Sequence, residues 1–140
     1  MILVDSNVLI DVIESDPVWQ EWSMARIEDA AQAGRVVINH IVLAEAAPRS
    51  GPLEQFCDNL DVMMIAIEPL SDEAAYAAGS AFQQYRQRRL AEVPQSILSD
   101  FLIGAHALIA GATILTRDPR FYRTYFPTVR LIAPSKDEDD

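Results

Sequence analysis

The sequence has few of the residues that build disulfides, zinc sites or lysine-dependent active sites. Among its 140 residues are one cysteine, Cys57, two histidines and one lysine, Lys136. A single cysteine excludes an internal disulfide, and no cysteine–histidine cluster has the spacing of a zinc site. No apolar run approaches the roughly 18 residues of a membrane span. The start, MILVDSNVLID, carries Asp5 and lacks the basic region of a secretory signal, so we expect a cytoplasmic protein.

The length and the balance of residue types are those of a single folded domain. Half of the residues are hydrophobic and 23% are charged, which is a globular rather than a disordered composition. We expect one domain over residues 1–134, because no linker or internal repeat interrupts the chain. The last six residues, SKDEDD at 135–140, predict an acidic disordered tail.

The charge is unevenly distributed along the chain. The formal net charge is −10, which argues against binding nucleic acid by bulk attraction. Residues 86–130, however, hold seven arginines and three acids, a local charge of +4. A guanidinium is suited to phosphate because it presents a planar fork of donors. The arginines in this region that we expect to contact flanking phosphates are Arg86, Arg88, Arg89, Arg117 and Arg120.

Short apolar segments alternate with longer helical patterns. The predicted strands lie at 1–4, 36–38, 62–67, 113–116 and 130–132. The predicted helices lie at 8–13, 18–33, 41–47, 53–60, 72–90 and 96–110, with a turn or short helix at 119–126. This alternation predicts an α/β fold with a parallel sheet covered on both faces. In such sheets the ligand lies beyond the carboxyl ends of the strands, where Asp5 and Asp118 follow the first and fourth predicted strands.

Four acids stand among apolar or small residues rather than in charged stretches, namely Asp5, Glu45, Asp100 and Asp118. Each alone has an ordinary explanation as a helix cap or an outward-facing helix residue. Together they would repel, because two carboxylates about 4 Å apart cost about 4 kcal/mol at an effective dielectric of 20. A divalent cation would neutralise such a cluster. Oxygen ligands without a histidine–cysteine set point to Mg²⁺ or Mn²⁺.

Several motifs, in one order along nearly the whole chain, resemble the PIN-domain ribonucleases, and most of all the VapC-type toxins of bacterial toxin–antitoxin pairs. They are VDSNVLID at 4–11, IVLAE at 41–45, SDFLIGAHALIAGATILTRDPRFYRTYFP at 99–127 and VRLIAP at 129–134. The resemblance implies a three-layer sandwich around a five-stranded parallel sheet of order 3-2-1-4-5. It also implies a metal-dependent endoribonuclease, a homodimer, and a cognate antitoxin that inserts a segment into the acidic pocket.

The same resemblance implies a role for individual side chains. The family's acids fall on Asp5, Glu45, Asp100 and Asp118, of which the first, third and fourth would bind the metal. Its polar helper after the first acid falls on Ser6 or Asn7, and its hydroxyl two residues before the last acid falls on Thr116. The position after that threonine is often small or asparagine in relatives, and here it is arginine.

Three other functions stay open from the sequence. A phosphoacceptor domain needs a lysine near its aspartate, and the only lysine is in the tail. A PIN-like scaffold that binds without cutting would not need all four acids. A metal-dependent DNA or structure-specific nuclease would use the same acids, because the metal site does not itself read the 2′-hydroxyl. His106 follows Asp100 by six positions, off its helical face, and we expect it in the core.

Overall fold

The computed structural model describes residues 1–88 and 96–135. Its strands are β1 (Ile2–Val4), β2 (Val36–Ile38), β3 (Ile65–Ile67), β4 (Thr113–Leu115) and β5 (Leu131–Ile132). Its helices are α1 (Ser6–Ile13), α2 (Gln20–Ala33), α3 (His40–Ala46), α4 (Leu53–Val62), α5 (Asp72–Arg88), α6 (Ser96–Ala110) and α7 (Arg120–Tyr125). A single 3-10 turn, Ala47–Arg49, follows α3. No helix in these ranges is long and apolar enough to cross a bilayer.

The five strands form one parallel sheet in the order β3-β2-β1-β4-β5. Consecutive residues of a strand point to opposite faces, and Leu3, Val4, Val37 and Ile38 are all fully buried. Helices therefore cover both faces of the sheet, as a parallel sheet requires. The α/β class and the strand order expected from the resemblance are confirmed. The strand order reverses between β1 and β4, so their carboxyl ends open the crevice in which ligands of such sheets bind.

The apolar run at 62–67 was predicted as one strand, and that prediction is wrong at its start. Helix α4 continues through Val62, and β3 begins only at Ile65. Between them Met64 has a positive φ of 61°, and its N–H donates to the carbonyl of Asp61. This left-handed residue ends the helix and turns the chain into the sheet. Hydrophobicity alone does not predict this turn, because a positive φ is uncommon for residues other than glycine and methionine gives no turn signal.

Other predicted boundaries shift by one or two residues. Helix α2 begins at Gln20, because the Asp16 carboxylate accepts from the N–H groups of Val18 and Trp19 and holds them in a turn. Ser71 caps α5, because its hydroxyl accepts the N–H of Ala74 at 3.1 Å. The predicted end of α5 at residue 90 and the loop at 91–95 lie outside the described residues. So does the tail beyond Ser135.

The aromatic residues near the end of the chain form part of the core. The Phe101 ring centroid lies 4.9 Å from that of Phe121 and 6.0 Å from that of Phe126. Tyr85 and Tyr125 complete this cluster at 5.7 and 5.3 Å from Phe101. These ring contacts join α5, α6 and α7 beside the sheet.

The close approach of Phe126 to α6 leads to a stability prediction at Gly104. A Cβ atom there would lie 2.3 Å from Cε2 of Phe126, in a rigid and buried ring. We expect Gly104→Ala to lower the free energy of unfolding by about 1–2 kcal/mol, because overpacking outweighs the gain in helix propensity. The melting temperature would fall by roughly 3–6 °C. The control is Gly79→Ala in α5, where a Cβ meets nothing within 4 Å, and which should stabilise the protein. Equal stabilisation by both changes would contradict this packing.

Candidate active site

Asp5 ends β1 at the carboxyl edge of the sheet and begins α1 as its cap. Its side chain is 5% exposed. Oδ1 accepts the N–H of Ser6 at 2.8 Å, while Oδ2 accepts the hydroxyls of Thr116 at 2.8 Å and Tyr122 at 3.1 Å. Burial raises the pKa of Asp5, the three hydrogen bonds oppose that rise, and the charge of Asp118 adds to it. Asp5 is therefore both a helix cap and a buried carboxylate in an acidic environment.

Asp100 lies in the first turns of α6, where the charges of the other three acids act on its carboxyl group. Its pKa is raised to about 7, first by burial and then by the charges of Asp5, Glu45 and Asp118. Such repulsion requires that the four carboxyl groups, which are far apart in sequence, share one region of the molecule. The four acids lie close enough for their charges to act on Asp100, but the predicted metal cluster stays a prediction.

Glu45 reaches this region from α3 and is tied to α1. Its Oε1 accepts the hydroxyl of Ser6 at 3.1 Å. Burial raises the pKa of Glu45, the Ser6 hydrogen bond lowers it, and the charge of Asp5 raises it further. Ser6 therefore links two carboxylates, by its N–H to Asp5 and by its hydroxyl to Glu45. The helper role that the resemblance assigns to Ser6 stays a prediction.

Asp118 lies on the chain that follows β4 and is the most exposed of the four acids. Its side chain is 60% exposed and forms a 3.2 Å ion pair with Arg120. Its N–H donates to Thr116 Oγ1 at 3.1 Å, and Asn7 Nδ2 donates to the same oxygen at 3.3 Å. The hydroxyl of Thr116 thus connects Asp5, Asn7 and Asp118, which places all three predicted polar helpers at the acidic region.

The donor chemistry of the region fits a hard divalent cation, although the ligands do not form a complete shell. Asp5, Glu45, Asp100 and Asp118 offer carboxylate oxygens, the donors that Mg²⁺ and Mn²⁺ prefer. Across residues 1–88 and 96–135, no three aspartate, glutamate, histidine or cysteine side chains are grouped closely enough to hold a metal ion. Burial is the largest cause of the raised pKa of Asp5, Glu45 and Asp100, repulsion from neighbouring carboxylates adds to it, and a bound cation would relieve that repulsion.

The arginines predicted to contact RNA occupy different environments. Arg86 lies over the Phe82 ring at 5.9 Å, and both Arg86 and Arg88 are exposed. Arg120 is exposed and pairs with Asp118. Arg117 instead turns inward to a buried carboxylate, so its contact with RNA stays a prediction. Arg89 lies outside the described residues.

Sequence reasoning missed two residues of this region, Asp11 and the hydrogen-bonding role of Tyr122. Asp11 is 2% exposed and forms a bidentate ion pair with Arg117. It stands in VLIDVI, the same apolar context that singled out the four other acids, so this signal was present in the sequence. The Tyr122 hydroxyl was not predictable, because nothing in the spacing of α7 shows which strand end it faces.

His106 lies in the core, as predicted, and outside the acidic cluster. It is 4% exposed, and burial lowers its pKa while the charge of Glu68 opposes this effect. Asn39 Oδ1 accepts the N–H of Val42, so its Nδ2 donates to His106 Nδ1 at 3.1 Å. The imidazole is therefore neutral and carries its proton on Nε2, which suits a structural hydrogen bond at the end of β2.

Comparison with known proteins agrees with this architecture. The structure of VapBC2 from Rickettsia felis bound to a promoter DNA fragment matches with a TM-score of 0.71 at 23% identity, over 96% of this chain and 100% of that one. VapBC-1 from nontypeable Haemophilus influenzae matches at 0.65 and 19% identity, over 95% and 98%. No curated protein matches in sequence. The PIN domain pattern matches residues 2–127, nearly the whole chain, and this chain therefore belongs to the PIN domain family of nucleases.

Proposed function

We propose that this PIN domain is a metal-dependent endoribonuclease and the toxin of a VapBC-type toxin–antitoxin pair. The observation that carries the proposal is the hydrogen-bond network at the carboxyl edge of the sheet, in which Ser6 links Asp5 to Glu45 and Thr116 links Asp5 to Asp118. The pKa of Asp100, raised to about 7 by burial and then by the charges of these three acids, agrees with it. Perturbed carboxylates at the carboxyl edge of a parallel sheet are typical of an active site. The family supplies the class of reaction, the hydrolysis of phosphodiester bonds.

Asp5, Asp100 and Asp118 would hold Mg²⁺ or Mn²⁺. A bound ion of this kind supplies positive charge for the reacting phosphate and makes water a better nucleophile at neutral pH. The chain's contribution is to orient the ligands. Thr116 and Tyr122 fix one oxygen of Asp5, and the N–H of Ser6 fixes the other.

Glu45, which lies outside this ligand set, is suited to accept the proton of the attacking water. Burial raises the pKa of Glu45, which makes its carboxylate a stronger base, and the Ser6 hydroxyl holds that carboxylate in place. The water oxygen would bond to phosphorus as the bond to the 3′ oxygen breaks, one water proton would pass to Glu45, and the departing 3′ oxygen would take a proton from solvent. The products are a 3′-hydroxyl and a 5′-phosphate, the outcome that the resemblance implies.

The exposed arginines at the end of α5 and on α7 would hold the phosphates that flank the cut. Arg86 and Arg88 lie at the end of α5, and Arg120 lies beside Asp118. We include Arg89 as predicted from the sequence, but not Arg117, because its guanidinium is bound to buried Asp11. This local positive charge, +4 over residues 86–130, would attract RNA phosphates to a chain of net charge −10.

The partner we propose is a cognate antitoxin. Similar folds occur in structures described as VapBC and as a toxin–antitoxin complex from Klebsiella pneumoniae. The proposal also includes a homodimer and action in the cytoplasm, where the RNA substrate is found. Sedimentation of the purified chain tests the dimer directly.

The decisive experiment is to sequence RNA 5′ ends from cells that briefly express the protein, with Asp100→Ala as control. A discrete new 5′-phosphate end in the first sample alone would support both the reaction and an RNA target. The same purified proteins with RNA and with single-stranded DNA of one sequence separate a ribonuclease from a DNA nuclease. An identical set of RNA ends in both samples would refute catalysis at Asp100.

A further inference from the structure

We propose that Asp11 and Arg117 are positioning residues for the active site. Their ion pair would fix the chain that leaves β4, and with it Thr116 and Asp118. The inference deepens the proposed function and rests on it, because the region that these residues position is the proposed metal site. Neither residue is expected to touch the RNA or the metal.

The ion pair between Asp11 and Arg117 is bidentate, and its carboxylate is buried. Arg117 Nε donates to Asp11 Oδ2 at 2.9 Å, and Nη2 donates to Oδ1 at 2.9 Å, so the fork is bidentate. Asp11 is 2% exposed, and the Ser23 hydroxyl donates to its Oδ2 at 2.8 Å. The guanidinium also lies over the Trp19 ring, 5.3 Å from the centroid. Breaking such a pair is costly, because it would leave the buried carboxylate of Asp11 without its partner.

Helix α1 holds the chain after β4 at two points. The backbone N–H of Arg117 donates to Asn7 Oδ1 at 3.1 Å, while its side chain binds Asp11. Asn7 and Asp11 are four residues apart and therefore share one face of α1. Backbone and side chain of one residue are thus fixed to the same helix, which begins at Asp5.

The residues on either side of Arg117 transmit this position to the acidic region. Thr116 Oγ1 donates to Asp5 Oδ2 at 2.8 Å and accepts the N–H of Asp118 at 3.1 Å. A shift of the backbone at Arg117 would alter both contacts together. Partners that orient metal ligands in this indirect way commonly change metal affinity or activity by about 10–100-fold.

The environment of Arg117 sets it apart from the arginines suited to RNA. Its side chain is 32% exposed, whereas that of Arg120 is 87% exposed. Two of its nitrogens already bind a carboxylate. A phosphate contact would have to compete with that bidentate pair. The structure therefore favours positioning over the RNA contact that the sequence predicted.

The test measures Mn²⁺ binding without RNA, and cleavage separately. Arg117→Gln should weaken Mn²⁺ binding by about 10-fold or more, lower kcat by a similar factor, and leave the KM for RNA and its salt dependence unchanged. Arg117→Lys keeps the charge but not the fork, so it should restore only part of the binding. The control is Arg49→Ala, which breaks an exposed ion pair with Glu14 at the end of the same helix and should change neither property.

Several results would overturn the inference. A raised KM with a salt slope reduced by about 1, at unchanged Mn²⁺ affinity, would make Arg117 a phosphate contact. A lower melting temperature with unchanged Mn²⁺ binding and kcat would make the pair structural only. If Arg117→Gln does not fold, Asp11→Asn, which keeps an acceptor for Ser23, takes its place. A wild-type protein that binds Mn²⁺ but cuts no RNA refutes the proposed function alone, while one that binds no Mn²⁺ overturns both.

Discussion

Asp5→Asn should reduce Mg²⁺-dependent RNA cleavage by about 1,000-fold or more while the protein remains folded. The substitution removes the negative charge at the most buried of the four acids, and charge stabilisation of this kind accounts for several kcal/mol of the activation barrier. The measurement is single-turnover cleavage of a labelled RNA, with the fold checked by circular dichroism. Asp58→Asn, at an exposed position on α4, is the matched control and should cleave like the parent. Cleavage by Asp5→Asn within 10-fold of the parent would remove Asp5 from the site.

Without metal, we expect the free energy of unfolding of Asp5→Asn to stay close to that of the parent, because two effects oppose each other. Neutralising Asp5 relieves the burial of its charge and the repulsion from Asp118. The asparagine amide, however, cannot accept at both former oxygens, so it loses the bond to Ser6 N–H or those to Thr116 and Tyr122. We expect a change within about 1 kcal/mol by urea unfolding at pH 7. A loss of several kcal/mol would show that Asp5 is chiefly a structural cap.

The order of the elements follows from the sequence because each strand is short, apolar and bounded by a helical pattern. Val36–Ile38 was predicted with its observed bounds, since Gly34 ends the preceding helix and Asn39 caps the next. The start of β3 was not predicted. It depends on the left-handed Met64, and a single backbone dihedral is not encoded in hydrophobic periodicity.

The acids of the site could be predicted, but the network that joins them could not. Asp5, Glu45, Asp100 and Asp118 were singled out by their apolar neighbours and by the strand ends they follow. The direction of a long side chain is decided by tertiary packing. Arg117 was therefore predicted to face RNA, whereas its guanidinium lies against buried Asp11 and Trp19.

Asp100→Asn should make the metal-free protein more stable at pH 8 and abolish the stabilisation by Mg²⁺. The pKa of Asp100 is raised from 3.8 to about 7 in the folded state, so folding favours its protonated form. Its contribution to stability is therefore fully present below about pH 4 and is lost as the pH rises through about 7. Removing the charge should raise the free energy of unfolding at pH 8 by about 2 kcal/mol, less than half of what the shift alone implies, because water screens this half-buried carboxyl.

We expect Asp100→Asn to raise the free energy of unfolding without metal and to lower it, relative to the parent, in excess Mg²⁺. This reversal distinguishes a metal ligand from a carboxylate that is only destabilised by burial and repulsion. In excess Mg²⁺ the parent gains stability in proportion to the logarithm of the metal concentration, by about 2.7 kcal/mol at 100 times the dissociation constant. Asp100→Asn should gain little, so the parent becomes the more stable protein. Melting temperatures from pH 4 to 8, with and without Mg²⁺, measure both halves, and Asp58→Asn should follow the parent throughout. A parent that is equally stable at pH 4 and pH 8 without metal, or an Asp100→Asn protein stabilised by Mg²⁺ as strongly as the parent, would contradict the assignment of Asp100. The pH profile tests the repulsion and the Mg²⁺ response tests the ligand, so each part of the assignment can fail without the other.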